Sequence, residues 1–523
     1  MNRPPIPTRP ARQPAGGSPW WRVLLLAIFL PRAYLALSDQ GIIWSDEIFQ
    51  TLEQGHRVAF GYGLVPWEFR DGARSWLLPG LLAGAMKVLA GVGMTNGASL
   101  VGTVKLLFAF LSTAAFYPVL RMADAWGGRR AAVLLGLCAI ALPAHLIYGS
   151  RAMAEVASAP VLTWGLWLLW SWGIGPATRS TSYDGSAASW WEKMQRPALA
   201  GSLLGLAALL RYQNGVLLPA VVLIVAARRS VRAAAFVAGA AAFVLLLGGA
   251  LDWLTWGKPF QSLIVYLRFN LVENGANQWG VAAKDFFVRA MWSTNGPALL
   301  FVGLGFLAGL RRTWPVALLA SLFFVLHSAV PHKELRFLFP SLPLFLLCGA
   351  VGLAALIAKL PFPRSQRRLV GRGLAMGLLV LFALRSRYVS FADIGQPMSR
   401  EEQGGPTSSL VWGAFGERNQ LLNQAGIRAD ICGLVAPTMN AYWTGGYSYL
   451  HRRVPLLWTG APADFAAANY ALVGVGQKLT DTRYRRVAQV GQYSLFRRDG
   501  ACTPAPHGSD TFGRLTPAGV SSR

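Results

Sequence analysis

The stretch Trp20–Ser38, WWRVLLLAIFLPRAYLALS, is followed within a few residues by a polar one, WSDEIFQTLEQGHRVAFGYGLVPWEFRDGARSW (Trp44–Trp76). A membrane helix needs ~20 apolar residues. No small-residue cleavage site follows Ser38, so Trp20–Ser38 reads as an uncleaved first span rather than a secretory signal. Further candidate spans lie at roughly 100–120, 131–148, 154–174, 198–210, 214–228, 233–256, 297–310, 314–330, 337–358 and 373–390. The expectation is an all-α polytopic membrane protein with about eleven transmembrane helices.

Composition agrees. Of the 523 residues 54% are hydrophobic and only 14% charged, against about 25% charged in soluble chains, which excludes an ordinary soluble enzyme. The net charge is +26. In so apolar a chain that excess reads as cytoplasmic loop charge, not as nucleic-acid binding. Arg121, Arg129 and Arg130 follow the second span, Lys193 and Arg196 the fourth, and Arg228, Arg229 and Arg232 the sixth. Arg311 and Arg312 follow the eighth, and Arg364, Arg367, Arg368 and Arg372 the tenth. The positive-inside rule places all of these in the cytoplasm.

That threading makes 1–19 a cytoplasmic tail and 20–390 the transmembrane domain. It puts the loops 39–76 and 257–296 and the hinge 331–336 on the outer side. The apolar stretch 77–92 reads as a re-entrant or interfacial helix on that side, because a crossing there would invert the positions of Arg129 and Arg130. Residues 391–500 read as a small α/β extramembrane domain, periplasmic or luminal, and 501–523 as a flexible tail. Cys138 and Cys348 lie in apolar runs and read as packing residues. Cys432 and Cys502 could pair, and no Cys/His cluster suggests structural zinc.

Chemistry concentrates on the outer side. Asp39, Asp46, Glu47, Glu53, Glu68 and Asp71 accompany Trp44, Trp67 and Trp76 in the first loop. Asp46 and Glu47 form an acidic pair just past a span, suited to general-base work on a hydroxyl. Tryptophan and carboxylates together suit a sugar. HKELRF (His332–Phe337) places three potential cations beside one acid between two spans. Cations there break the charge rule, which points to an anion such as a lipid-linked phosphate. Arg151 and Glu155 are spaced to pair along one helix face. Arg211 sits at an outer turn and Asp252 near the outer end of the seventh span. His145 and His327 read as packing or cavity residues. GGYSYLH (Gly445–His451) reads as a turn followed by a strand.

The pattern DE-x-x-Q-x-x-E-x-x-H, carried by Asp46, Glu47, Gln50, Glu53 and His56, continues into FGYG (Phe60–Gly63), WEF (Trp67–Phe69) and Arg74–Ser75. This resembles the first luminal loop of the family 22 glycosyltransferases, the multi-spanning mannosyltransferases that extend GPI anchors and lipid-linked N-glycan precursors. HKELRFLFP (His332–Pro340) is similar to that family's HKE-x-RF-x-x-P signature. Asp252, Gly257, Asn270 and Gly280 match a further block, and Arg151 its arginine-containing span start. The chain departs from the pattern at Pro66, where Thr is usual, at Trp256, where Tyr is usual, and after Arg211, where no Pro follows.

The resemblance implies a type C fold and inverting transfer of mannose from a polyprenyl- or dolichyl-phosphate donor to a glycolipid or lipid-linked acceptor. It implies Asp46 or Glu47 as base and His332, Lys333, Arg336 and Arg211 at the donor phosphate. It further implies Gln50, His56, Trp67, Glu68, Arg74, Arg151, Asn270 and Glu334 as substrate-binding residues. No cofactor and no obligatory metal are expected, nor a nucleic-acid partner, and the chain is expected to be a monomer. Neither acceptor nor linkage is carried over. A transporter or flippase of a lipid-linked sugar, or a lipid-phosphate-dependent transferase of another sugar, remains an alternative. The Arg-rich, Ala- and Gly-rich composition suits a bacterial inner membrane, with the endoplasmic reticulum as the eukaryotic counterpart.

Overall fold

The computed structural model describes residues 20–171, 190–396, 410–437, 439–474, 479 and 481–505. The expected tail 1–19, residues 172–174 of the expected fourth span and residues 506–523 of the expected flexible tail lie outside them.

Trp20–Ser38 forms one helix. Val23, Leu26, Leu30, Tyr34 and Leu37 are exposed along one stripe, the apolar face a bilayer would cover. Arg32 on the opposite face is fully buried and donates to the Ala139 carbonyl at 2.9 Å. A charge within a span faces the protein, as lipid requires. Five further helical runs are long and apolar enough to cross a membrane: Gly97–Ala141, Val231–Trp256, Ala298–Ala329, Leu335–Lys359 and Arg364–Arg387. Shorter apolar helices occupy Leu77–Gly91, Ala154–Leu169, Met194–Leu210 and Tyr212–Arg228.

Two of the long runs are each a pair of legs. Gly128 has φ 72° and ψ 175°, outside helical space, and breaks Gly97–Ala141 beside the basic residues Arg129 and Arg130. Ala298–Ala329 folds back on itself. The Phe345 ring lies 5.4 Å from Phe306 and 6.2 Å from Phe324, which a straight helix would hold about 27 Å apart. Basic residues gather at the end away from the polar loops: Arg129 lies over the Trp20 ring and Arg228 over Trp314. Backbones pack closely where side chains are small. A Cβ on Gly352 would come within 1.7 Å of the Gly305 carbonyl oxygen, so only glycine permits that helix contact.

At the other end of the helices, the first loop, the Arg211 turn, residues 257–296 and the Leu335–Ser341 turn converge. Beside them stands a five-stranded sheet. Its strands are β1 (Leu434–Val435), β2 (Leu456–Leu457), β3 (Tyr470–Gly474), β4 (Arg485–Val490) and β5 (Tyr493–Arg497), ordered β2-β1-β3-β5-β4. β1 runs parallel to β2 and β3, while β5 runs antiparallel to β3 and β4. Cys432 and Cys502 form a disulfide. The turn-and-strand expectation for Gly445–His451 is corrected: Gly446–Leu450 is a short helix.

Candidate active site

Asp46 opens an irregular helix, Glu47–Leu52. Neighbouring positions on a helix point in different directions, and this divides the acidic pair. Asp46 faces a cavity of about 670 Å³. Glu47 turns into the core, where it lies 3.2 Å from Arg151. Burial pushes the Glu47 carboxyl up, against the pull of Arg151. Glu47 does not line the cavity, so its expected catalytic role is withdrawn.

The expected Arg151–Glu155 pair does not form. The helix begins only at Ala154, so the two residues share no helical face. Arg151 instead meets Asp39 at 2.7 Å and Glu47, and donates to the Gly41 carbonyl. It is buried away from the cavity and braces the start of the first loop. Its substrate-binding role is withdrawn with that of His56, which lies buried against His451 with Nε2···Nδ1 at 2.9 Å. Burial lowers the His56 imidazole to about 3, so it is neutral. Its Nδ1 faces the Tyr62 carbonyl, which assigns Nδ1 as the donor and Nε2 as the acceptor from His451.

The remaining expected residues meet in one hollow. Asp46, Gln50, Trp67, Glu68, Arg74, Arg211, Asn270, His332, Lys333, Glu334 and Arg336 all line it. The Arg336 guanidinium contacts three carboxylates: Asp46 at 2.6 Å, Glu155 at 3.4 Å, and Glu334. Glu334 also lies 2.9 Å from His332 Nε2. His332 Nδ1 faces the Gly280 carbonyl at 2.9 Å. Oxygen acceptors thus flank both ring nitrogens, which fits the imidazolium. Burial opposes that charge, but Glu334 and Gly280 outweigh it and hold His332 above its ordinary value. Lys333 Nζ donates to the Ala282 carbonyl at 2.7 Å.

Arg211 is the conspicuous cation. It is 7% exposed and pairs with Glu155 at 2.9 Å, and its Cζ lies 4.9 Å from the Phe337 ring. Its Nε and Nη2 are buried without a hydrogen-bond partner among the described residues. Unmet buried donors are costly; Arg211 lines the cavity, and its Nε and Nη2 edge has the fork geometry that suits a phosphate. Among the described residues no group of three or more His, Cys, Asp or Glu side chains is placed to hold a metal ion.

Sequence reasoning missed Glu155 as the carboxylate joining Arg211 to Arg336, and the aromatic wall of Tyr266, Phe269, Trp279 and Trp443. It also missed what fixes the loop from behind. Glu53, fully buried, accepts from Leu64 N, Tyr447 N, Ser448 N and Ser448 Oγ at 2.8–3.1 Å. Burial pushes its carboxyl up while those four donors pull it back. Gly446 has φ +51°, and a Cβ there would lie 3.0 Å from Glu53 Oε2, so both conformation and space demand glycine. GGYSYLH is therefore a cradle for Glu53.

A helical membrane body with a charged cavity at one end of its helices and a small sheet domain beside it is the type C glycosyltransferase architecture. The family model of the Alg9-like mannosyltransferases matches residues 21–402, and the chain belongs to that family. It is 30% identical over 336 residues to GPI mannosyltransferase 3 of Drosophila melanogaster, covering 62% of this chain and 54% of that one. It is 24% identical over 518 residues to GPI mannosyltransferase 3 of Trypanosoma brucei brucei, covering 92% and 85%. The chain thus spans about half the length of the fly relative. Its fold is similar to that of ArnT from Cupriavidus metallidurans bound to undecaprenyl phosphate, with a TM-score of 0.55 at 14% identity over 93% of this chain and 100% of that one. The relatives named are eukaryotic, so the expected bacterial inner membrane gains no support from them.

Proposed function

We propose that the protein transfers a mannosyl residue from a polyprenyl- or dolichyl-phosphate donor to a glycolipid or lipid-linked acceptor, on the outer side of the membrane, with inversion. Asp46 contacts the acceptor hydroxyl and draws its proton as the oxygen attacks the anomeric carbon. Arg336 holds Asp46 in place and is itself held by Glu334 and Glu155. Arg211 offers its unpartnered Nε and Nη2 edge to the departing lipid phosphate. Lys333 and the imidazolium of His332 add positive charge, stabilising the leaving group where charge develops. The aromatic wall offers flat apolar faces to the sugar and the lipid.

One observation carries this reading: a carboxylate, Asp46, shares one cavity with an arginine, Arg211, whose fork is unfilled. The test is incubation of the purified protein with dolichyl-phosphate mannose and synthetic glycolipid acceptors, followed by mass identification of the product. A mannosylated acceptor is expected. Movement of the lipid-linked sugar between leaflets without transfer would overturn the reading in favour of a flippase. Transfer from another lipid-phosphate sugar alone would keep the reaction and replace the donor.

A further inference from the structure

Two carboxylates in the cavity are in opposite circumstances. Asp46 commits an oxygen to Arg336 at 2.6 Å. A proton kept on Asp46 would break the ion pair that positions it. Glu68 lines the same cavity, is 8% exposed, and among the described residues forms no ion pair. Its Oε1 accepts from Gln50 Nε2 at 2.9 Å. Gln50 lies four positions after Asp46, in the irregular helix that Asp46 opens. Glu68 is brought opposite by the short helix Trp67–Arg70, which follows the extended Pro66.

We propose that Glu68 is the residue that finally holds the proton released by the acceptor hydroxyl, Asp46 being the carboxylate in contact with that hydroxyl; this rests on the transferase reading above. In the reaction the acceptor oxygen forms a bond to the anomeric carbon, and the bond from that carbon to the phosphate oxygen breaks. Its electron pair leaves with the lipid phosphate, which departs as a dianion. The hydroxyl proton passes through Asp46 to Glu68, so that Asp46 returns to its ion pair before the products leave. Glu68 suits the task because among the described residues no cation forms an ion pair with it, Arg74 acting on it only without such a contact. The charged or titratable groups facing it are Asp46, Arg74 and Tyr442. Burial and then the charge of Asp46 push the Glu68 carboxyl up to about 7, while Arg74 and Gln50 pull the other way. A proton acceptor works best with an affinity near the operating pH.

The experiment is the pH dependence of kcat for the full-length protein with dolichyl-phosphate mannose and a synthetic glycolipid acceptor. Glu68 must be ionised to accept, so wild-type kcat should fall by about tenfold per pH unit below a break near 7. Glu68→Gln should lower kcat by roughly a hundredfold and flatten that limb, with the donor KM within about twofold of wild type. Glu68→Asp should keep an acidic limb, and it provides the test should the glutamine variant fold poorly. The proposal is overturned if Glu68→Gln keeps the wild-type limb, if its loss lies in KM alone, or if Glu68→Asp shows no limb. A wild-type protein that transfers mannose while Glu68→Gln is unaffected removes the Glu68 role and leaves the transferase reading standing. A wild-type protein that transfers nothing removes both.

Discussion

The Asp46 carboxylate and the Arg336 guanidinium, 290 positions apart in the chain, meet at 2.6 Å on the wall of one cavity. Loop and hinge are thereby locked into a single constellation, and each partner's removal has a distinct expected signature.

Asp46→Asn leaves Arg336 with Glu334 and Glu155, so the cavity should persist while the proton acceptor is lost. Transfer should fall by roughly a hundredfold or more, with binding of dolichyl phosphate largely retained. Activity assays and lipid titration on the same preparation check this. Wild-type turnover would remove Asp46 from the chemistry.

Arg336→Ala frees Asp46 and removes the cation that Glu334 and Glu155 share. The expected result is a larger loss in kcat than in donor affinity, since Arg336 acts chiefly by placing Asp46. Steady-state kinetics separate the two, and a pure KM effect would assign Arg336 to the phosphate instead.

Arg211→Ala should weaken binding of dolichyl phosphate by roughly tenfold, about the worth of one charge-assisted hydrogen bond. Arg211→Lys should recover only part, because a point charge cannot replace a two-pronged donor. Direct titration with the lipid phosphate reads both, and unchanged affinity would exclude Arg211 from the anion site.

His332 adds a pH dependence of definite sign. Its affinity for a proton is raised in the folded protein, so its positive charge is present at low pH and is lost as pH rises through that raised value. Lipid-phosphate affinity should therefore weaken toward alkaline pH, and His332→Gln should flatten the change. The same sign applies to stability: the contribution of the His332–Glu334 pair is complete below the ordinary histidine value and disappears as pH rises through the raised one.

Glu53→Ala strands four donors in the interior, including the backbone N–H groups of Leu64, Tyr447 and Ser448. A loss of about 3 kcal/mol in stability is expected. Limited proteolysis should show the sheet domain loosened from the first loop, and a melting profile identical to wild type would contradict the cradle.

Patterns tied to local periodicity were legible in the sequence. Apolar runs marked the spans, and basic residues marked the turns at Gly128 and around Trp314. Asp46 and Arg336 were each visible as misfits: an acid just past a span, and cations where few belong. What failed depended on where a helix starts. With the first residue of the helix at Ala154, Arg151 falls outside it, and its partners become Asp39 and Glu47. The Asp46–Glu47 pair was read as a unit, but adjacent positions on a helix face apart. The Glu53 cradle was illegible because its contacts span up to 395 positions, and no local pattern records such distances.

That cradle also orders events in time. Glu53 leaves the ribosome 395 residues ahead of Ser448. Until the late segment emerges, a bare carboxylate lacks the amides that hold it, and the loop bearing Asp46 has no floor. A nascent chain that has not yet reached Ser448 thus carries its first loop unbraced, and the support behind Asp46 is completed only when that distant segment arrives.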